Sequence, residues 1–306
     1  VANQYIKAAQ YADLAVAALE FDSILPKVFT RIDGARFQGA LDDTLNYKLP
    51  AVLSARNYEW RTRLNPIVLD EISRVTIPIL INEHIYSAVP LTDEEDLLDL
   101  TNFNTEILDV QVEAVRTRLE QKVVAALNAV DWATAAGPFD AATADDPRVW
   151  ATDVMLALDA VGTPKAGRTI LVGSNPFSWL LNSGKLNDFE ISGRSSSFAG
   201  TTVPNIRGMN VVGTTLLTAN QIFVVHESAL VIANVAPKVP RGAYSGAIRR
   251  HKGYGMRVMQ DYDANFLRDR SIVSTFNGIS SVEDNRDANG ALTGENPRGG
   301  KGTFTP

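Results

Sequence analysis

Polar and apolar residues alternate over residues 43–49, "DTLNYKL", with Leu45, Tyr47 and Leu49 opposed to Thr44, Asn46 and Lys48. That period of two predicts a half-buried strand. A second run, "PIVLDEISRVTIPILIN" (66–82), sets Val75, Ile77, Ile79 and Ile81 on one side and predicts its partner. Pro78 makes this an edge or interrupted strand, because proline cannot donate to a ladder. Between them, "SARNYEWRTRLN" (54–65) has no apolar face and reads as a loop far longer than a hairpin needs.

Helical periods occupy other stretches. Ile6, Ala9, Leu14, Ala17 and Ala18 recur at roughly helical spacing and predict a helix over 3–20, capped by Asn3. Pro26, Gly34 and Gly39 then predict an extended segment over 21–40. Leu108, Val112, Val115, Leu119, Val123, Ala126 and Val130 step by three or four. They predict the longest helix, from a cap at Thr101 or Asn102 to Val130, about 45 Å long by the rise of an α-helix. Arg116 and Glu120 are expected to pair on its wet side.

The remainder alternates short helices with strands. Residues 131–146, "DWATAAGPFDAATADD", read as a small-residue linker. Asp146 and Pro147 predict a helix through Val161, ended by Gly162. "RTILVGS" (168–174) predicts a strand, and "NPFSWLLN" (175–182) a short helix with Asn175 as cap and Pro176 first. Residues 183–208 read as a Ser/Gly-rich loop, and "MNVVGTTLL", "QIFVVHE" and "ALVIANV" as strands. Residues 243–277 predict two more strands joined by a turn, with "GYG" (253–255) as turn rather than dinucleotide loop. The last 24 residues hold only four apolar side chains, beside five glycines and two prolines. Such a tail is expected to be disordered alone and held by neighbouring subunits if ordered.

Composition changes this picture little. With 306 residues, 45% of them hydrophobic, the chain can bury a real core as one large or two modest domains. The net charge of −6 disfavours a protein that binds polyanions over its whole surface. The absence of cysteine removes disulfides, thiolate nucleophiles, zinc ribbons and iron–sulfur sites.

Two charge clusters bear on chemistry. Asp93, Glu94, Glu95, Asp96 and Asp99 put five carboxylates within seven positions. Thr92 and Glu95 form a capping box, and Asp93 and Glu94 would fall in a first helical turn, so a helix start explains them better than a metal site. The opposite case is a stretch between Glu227 and Asp261 that lacks acids and carries Lys238, Arg241, Arg249, Arg250, Lys252 and Arg257. It reads either as a charged sheet edge or as a contact for acidic neighbours or packaged nucleic acid. The three histidines, His84, His226 and His251, offer no relay. His226 is expected to be a strand-end residue, since neighbouring strand positions point to opposite faces. No nucleophile elbow or phosphate loop is present, so no catalytic residue, cofactor or metal ligand is assigned.

Four stretches, "FQGALDDTLNYKLPAV" (37–52), "HIYSAVPLTDEE" (84–95), "RTILVGSNP" (168–176) and "GMRVMQDYDANFLRDRSIVSTFNG" (255–278), taken in this order, carry a resemblance. They resemble the major capsid proteins of tailed bacteriophages, with the Hong Kong 97-type fold, in the coat-protein-like branch of actinobacterial phages. The resemblance implies an α+β fold and no enzymatic activity. It implies an N-arm over 1–35, an E-loop over 36–74 and a P-domain over 75–146 with a spine helix near 102–130. An A-domain would take 147–237, P-domain return strands 238–280, and a C-terminal extension 281–306.

The implied function is self-assembly into pentamers and hexamers that form an icosahedral head around double-stranded DNA. A separate scaffolding protein, a portal and decoration proteins are the expected partners, assembly in the host cytoplasm the expected setting, and no membrane is involved. Arg56, Tyr58, Trp60, Arg61 and Arg63 at the E-loop tip are residue types that anchor interfaces and would cross to a neighbour. Arg241, Arg249, Arg250, Lys252 and Arg257 would face a neighbour or the DNA. An encapsulin-type compartment shell shares the fold and is the alternative use. A carboxylate metal enzyme built on Asp93–Asp99 is the remote one.

Overall fold

A computed structural model describes residues 8–33, 44–49, 55–58, 60, 61, 66, 67, 69, 76–92, 107–137, 139–140, 146–183, 205–241, 243, 245–266, 268–285 and 293–305. Two sheets and a hairpin organise them. The first sheet contains β1 (Thr30–Asp33), β4 (Glu83–Leu91), β10 (Leu230–Val235), β11 (Ser245–His251), β12 (Tyr254–Asp263) and β13 (Arg268–Ser281). Its order is β1-β10-β13-β12-β11, with β4 on the other edge of β13. The region read as two strands is thus three. Lys252 and Gly253, at φ 45° and 85°, make the tight turn between β11 and β12, which the His251–Tyr254 pair closes.

Helices α1 (Ala8–Asp22) and α3 (Asp109–Ala129) cover one face of this sheet. Their core joins Ala12, Ala15, Val16 and Leu19 to Leu108, Val112, Val115 and Leu119, over Tyr254, Met256, Val258 and Val273. The predicted stripe of α1 is therefore rotated, because Leu14 is 52% exposed while Ala12 and Leu19 are fully buried. The stripe of α3 holds, with two polar residues inside it. Gln111 donates to the Ser271 carbonyl at 2.9 Å and accepts from its hydroxyl at 2.8 Å. Glu120 is buried rather than wet. Its carboxylate accepts the Ile24 N–H at 2.7 Å and lies 3.7 Å from Arg116. It thereby fixes the bend into α2 (Leu25–Val28), a helical turn inside the segment expected to be extended.

The second sheet holds β5 (Trp132–Ala135), β6 (Phe139–Asp140), β7 (Arg168–Val172), β8 (Asn210–Gly213), β9 (Gln221–His226) and β14 (Asn296–Thr305). Its order is β5-β14-β9-β7-β8, and β6 also pairs with β14. Two expectations are corrected here. The small-residue linker forms β5 and β6, and the loose tail is an inner strand of its own chain's sheet, not a limb that only neighbours can hold. The cause is close packing. A Cβ on Gly299 would lie 2.5 Å from Trp132, and one on Gly302 2.8 Å from the Ala136 backbone. Small residues on both sides, which look like linker composition, are what lets these backbones approach.

Helices α4 (Pro147–Ala160) and α5 (Ser174–Asn182) flank this sheet. Asp146 caps α4 as expected, accepting the Arg148 N–H at 2.9 Å ahead of Pro147. Asp146→Ala is expected to cost about 1 kcal/mol, read as a lower denaturant midpoint at unchanged slope. The cap of α5 is Gly173 rather than Asn175. A Cβ at Gly173 would meet the Thr218 carbonyl at 2.2 Å, so the chain turns where only glycine fits. Phe139, Trp150, Trp179 and Phe304 then form an aromatic cluster with ring centroids 4.6–6.2 Å apart.

Candidate functional site

The hairpin read from alternation is present as β2 (Thr44–Lys48) and β3 (Thr76–Leu80), paired Leu45 to Ile79 and Tyr47 to Ile77. Leu45, Leu49, Ile77, Ile79 and Ile81 are buried against Val231, Ala233 and Val235 of β10. The adjacent β10 residues Leu230 and Ile232 pack with Val123 and Leu127 of α3 instead. Alternate positions on a strand point to opposite faces, so the hairpin lies on the side of the sheet away from the helices.

The long loop of the hairpin presents exposed side chains. Trp60 is 88% exposed and Leu69 82%, and Tyr58 and Ile67 are also exposed. Arg56 and Arg61 stand among them, both exposed. Arg63 lies outside the described residues. A large aliphatic side chain left in water forgoes roughly 1.5–3 kcal/mol, and a tryptophan offers still more area.

A complementary feature lies on the helical face. Leu14, Ala17 and Ala18 of α1 and Leu108, Val110 and Val112 of α3 line an apolar groove of about 1120 Å³. Glu20, Asp109, Glu113, Lys27, Arg116 and Lys252 form its mixed rim. Leu14 and Ala17, which the periodicity had placed against the core, are the floor of this groove.

The basic stretch divides in three. Arg249 donates to Asp13 at 2.5 Å, Lys252 to Glu20 at 2.7 Å, and the His251 ring lies 3.0 Å from Glu20. The hydrogen bond from Lys252 holds the Glu20 carboxyl below its ordinary pKa. These exposed pairs are worth little each, and they orient α1 on its sheet rather than anchor it. Arg257 is buried, donating to the Ser274 hydroxyl at 3.1 Å and the Lys238 carbonyl at 2.8 Å. Burial pushes its pKa down. Arg241 and Arg250 are exposed. The acids that meet this strand were not singled out in the sequence. Asp13 and Glu20, seven residues apart, share one face of α1, and that spacing was the available signal.

The carboxylates Asp93–Asp99 and their capping box lie outside the described residues. Among the described residues, no group of three or more His, Asp or Glu could hold a metal ion, and no helix is long and apolar enough to cross a membrane. His84 packs edge-on against Phe276 at 4.7 Å, and burial together with Arg257 lowers its pKa.

No protein-family model matches the chain, and no curated protein does. Solved structures do match. A structure of Mycobacterium phage Che8 aligns over 99% of this chain and 93% of its own, at 16% identity and a TM-score of 0.62. The capsid of Cyanophage P-SCSP1u aligns over 100% and 91%, at 11% identity and a TM-score of 0.60. This chain has the phage capsid fold. The capsid of Ralstonia phage GP4 aligns over 92% and 88%, at 9% identity and a TM-score of 0.61. The similarity spans both sheets and the hairpin, so the capsid fold accounts for the whole chain and not for one unit of it.

Proposed function

We propose that this chain is the major capsid protein of a tailed, double-stranded DNA phage, and that its work is structural rather than catalytic. Copies assemble into pentamers and hexamers of a Hong Kong 97-type icosahedral shell in the virion. The first sheet with α3 serves as the peripheral domain. The second sheet with α4 and α5 serves as the axial domain, to which β5, β6 and β14 belong.

One observation carries this reading. The hairpin that carries the exposed aromatics packs on one face of the sheet and the apolar groove opens on the other, which favours a meeting of loop and groove between copies over one within a copy. A contact between unlike surfaces of successive copies is heterologous, and such contacts close into rings when their rotation permits. Trp60 supplies the apolar payload with Tyr58 beside it, while Arg61 suits Asp109 at the rim. Arg241 and Arg250 remain for a neighbouring copy or for phosphates of packaged DNA. Scaffolding, portal and decoration proteins complete the assembly.

A photo-crosslinking side chain in place of Trp60 tests the contact, in particles assembled from equal amounts of light and heavy-isotope chains. Mixed-isotope cross-links to α1 or α3 are the expected result. Cross-links confined to one chain would refute it.

A further inference from the structure

The turn between β9 and β10 is where the two sheets are tied together, and its polar groups have no part in the proposed assembly. Three chain crossings pass this point: α3 into β5, β9 into β10, and β13 into β14. Asn296, fully buried at the start of β14, donates its backbone N–H to Asp131 at 2.8 Å and its side-chain amide to the Ala229 carbonyl at 2.8 Å. The Val282 N–H at the end of β13 donates to the same Ala229 carbonyl at 3.1 Å. The Glu227 carbonyl accepts from Thr30 of β1 at 2.8 Å, and the Glu227 N–H donates to Gly167 at 3.1 Å.

His226 stands at the centre of this knot. Its Nδ1 accepts the Ser228 N–H at 3.1 Å and faces the Ser228 hydroxyl at 2.7 Å. Arg298 donates to that hydroxyl at 2.5 Å and to Asp284 at 2.5 and 3.2 Å. With Nδ1 committed as an acceptor, the ring proton sits on Nε2. The ring is only 7% exposed, so water cannot replace either contact.

We propose that His226 is a proton-sensitive clasp between the two sheets, closed while its imidazole is neutral and loosened when Nδ1 takes a proton. A proton on Nδ1 would point at the Ser228 N–H and would keep the Ser228 hydroxyl only if that group turned from donor to acceptor, so protonation removes the N–H contact and loosens the turn. The groups around the ring pull in opposite directions, and burial outweighs them. Arg298 on β14 and Arg168 on β7 oppose the imidazolium, while Glu227 in the turn favours it. Each arginine carries its own carboxylate, Asp284 for Arg298 and Asp159 for Arg168 at 2.6 Å.

Burial, the largest cause, lowers the pKa of His226 below the ordinary histidine value. The sign follows from linkage. The closed clasp binds fewer protons than the open one, so closure is complete above the ordinary histidine range. Below it, the open population grows by up to about tenfold per pH unit until the native pKa is reached.

The test is hydrogen exchange of the full chain at several pH values, with protection factors corrected for the intrinsic rate. Protection of amides 228–230, 296 and 298–300 is expected to fall severalfold more than that of α4 between about pH 7.5 and 5.5. In His226→Gln, which can accept at one end and donate at the other without titrating, the fall should vanish. A fall of equal size in that variant, or none in the parent chain, would overturn the proposal. Should His226→Gln not fold, imidazole nitrogen shifts of the parent chain decide. A neutral Nε2–H ring persisting for His226 below the ordinary histidine range supports the clasp, and titration within that range overturns it.

Discussion

Trp60→Ala protein is expected to unfold at the same denaturant concentration as the parent chain and to form no closed shells. The first half follows from exposure, since Trp60 is 88% exposed and belongs to no core cluster. The second follows from multiplication. A tryptophan seated in an apolar groove is an interface anchor, and truncating one commonly costs about 2 kcal/mol or more. A ring of six such contacts would lose about 12 kcal/mol, enough to move assembly beyond reachable concentrations. Sedimentation velocity beside a chemical denaturation curve reads both quantities. Shells formed at the parent yield would show that the loop tip does not hold the assembly together.

Truncation after Glu295 is expected to leave an insoluble chain or one whose second sheet is molten. β14 lies inside that sheet, paired with β9 on one side and β5 on the other. Removing it exposes two strand edges and takes Phe304 from against Phe139, at 5.4 Å, and Trp179. Phe304→Ala alone should cost about 3–5 kcal/mol, a large share of a typical domain's stability. Near-ultraviolet circular dichroism monitors the aromatic cluster directly. A soluble truncated protein that keeps the parent spectrum would mean that the strand adds to a sheet already complete.

These two cases mark the limits of what the chain's pattern reveals. Strands β2 and β3 were legible because one face is buried and the other is wet, which imposes a strict period of two. Helix α4 was legible because Asp146 and Pro147 perform a local task that neighbours in sequence can report. β14 was not legible, because its glycines answer to β5, some 160 residues away in sequence. The rotation of α1 escaped for a related reason. An alanine-rich helix offers several plausible stripes, and only the position of α3 selects Ala12, Ala15, Val16 and Leu19.

The candidate sites divide in the same way. Trp60, Tyr58 and their arginines could be singled out because a loop without an apolar face still carried large aromatics. The basic strand was only half readable. Arg249 and Lys252 look like free cations until Asp13 and Glu20 arrive from α1, and Arg257 is consumed inside the sheet. His226 ends β9, as the sequence implied, but its contact with Ser228 was missed because alternation ceases to apply where the strand turns and Ser228 curls back onto the ring.

Electron microscopy of the purified full-length chain, concentrated with and without a co-expressed scaffolding protein, tests the central claim most directly. Pentameric or hexameric rings, or closed shells of uniform diameter, are what loop-in-groove association predicts. A single species of one-chain mass at every concentration, with Trp60 still open to solvent quenchers, would contradict it.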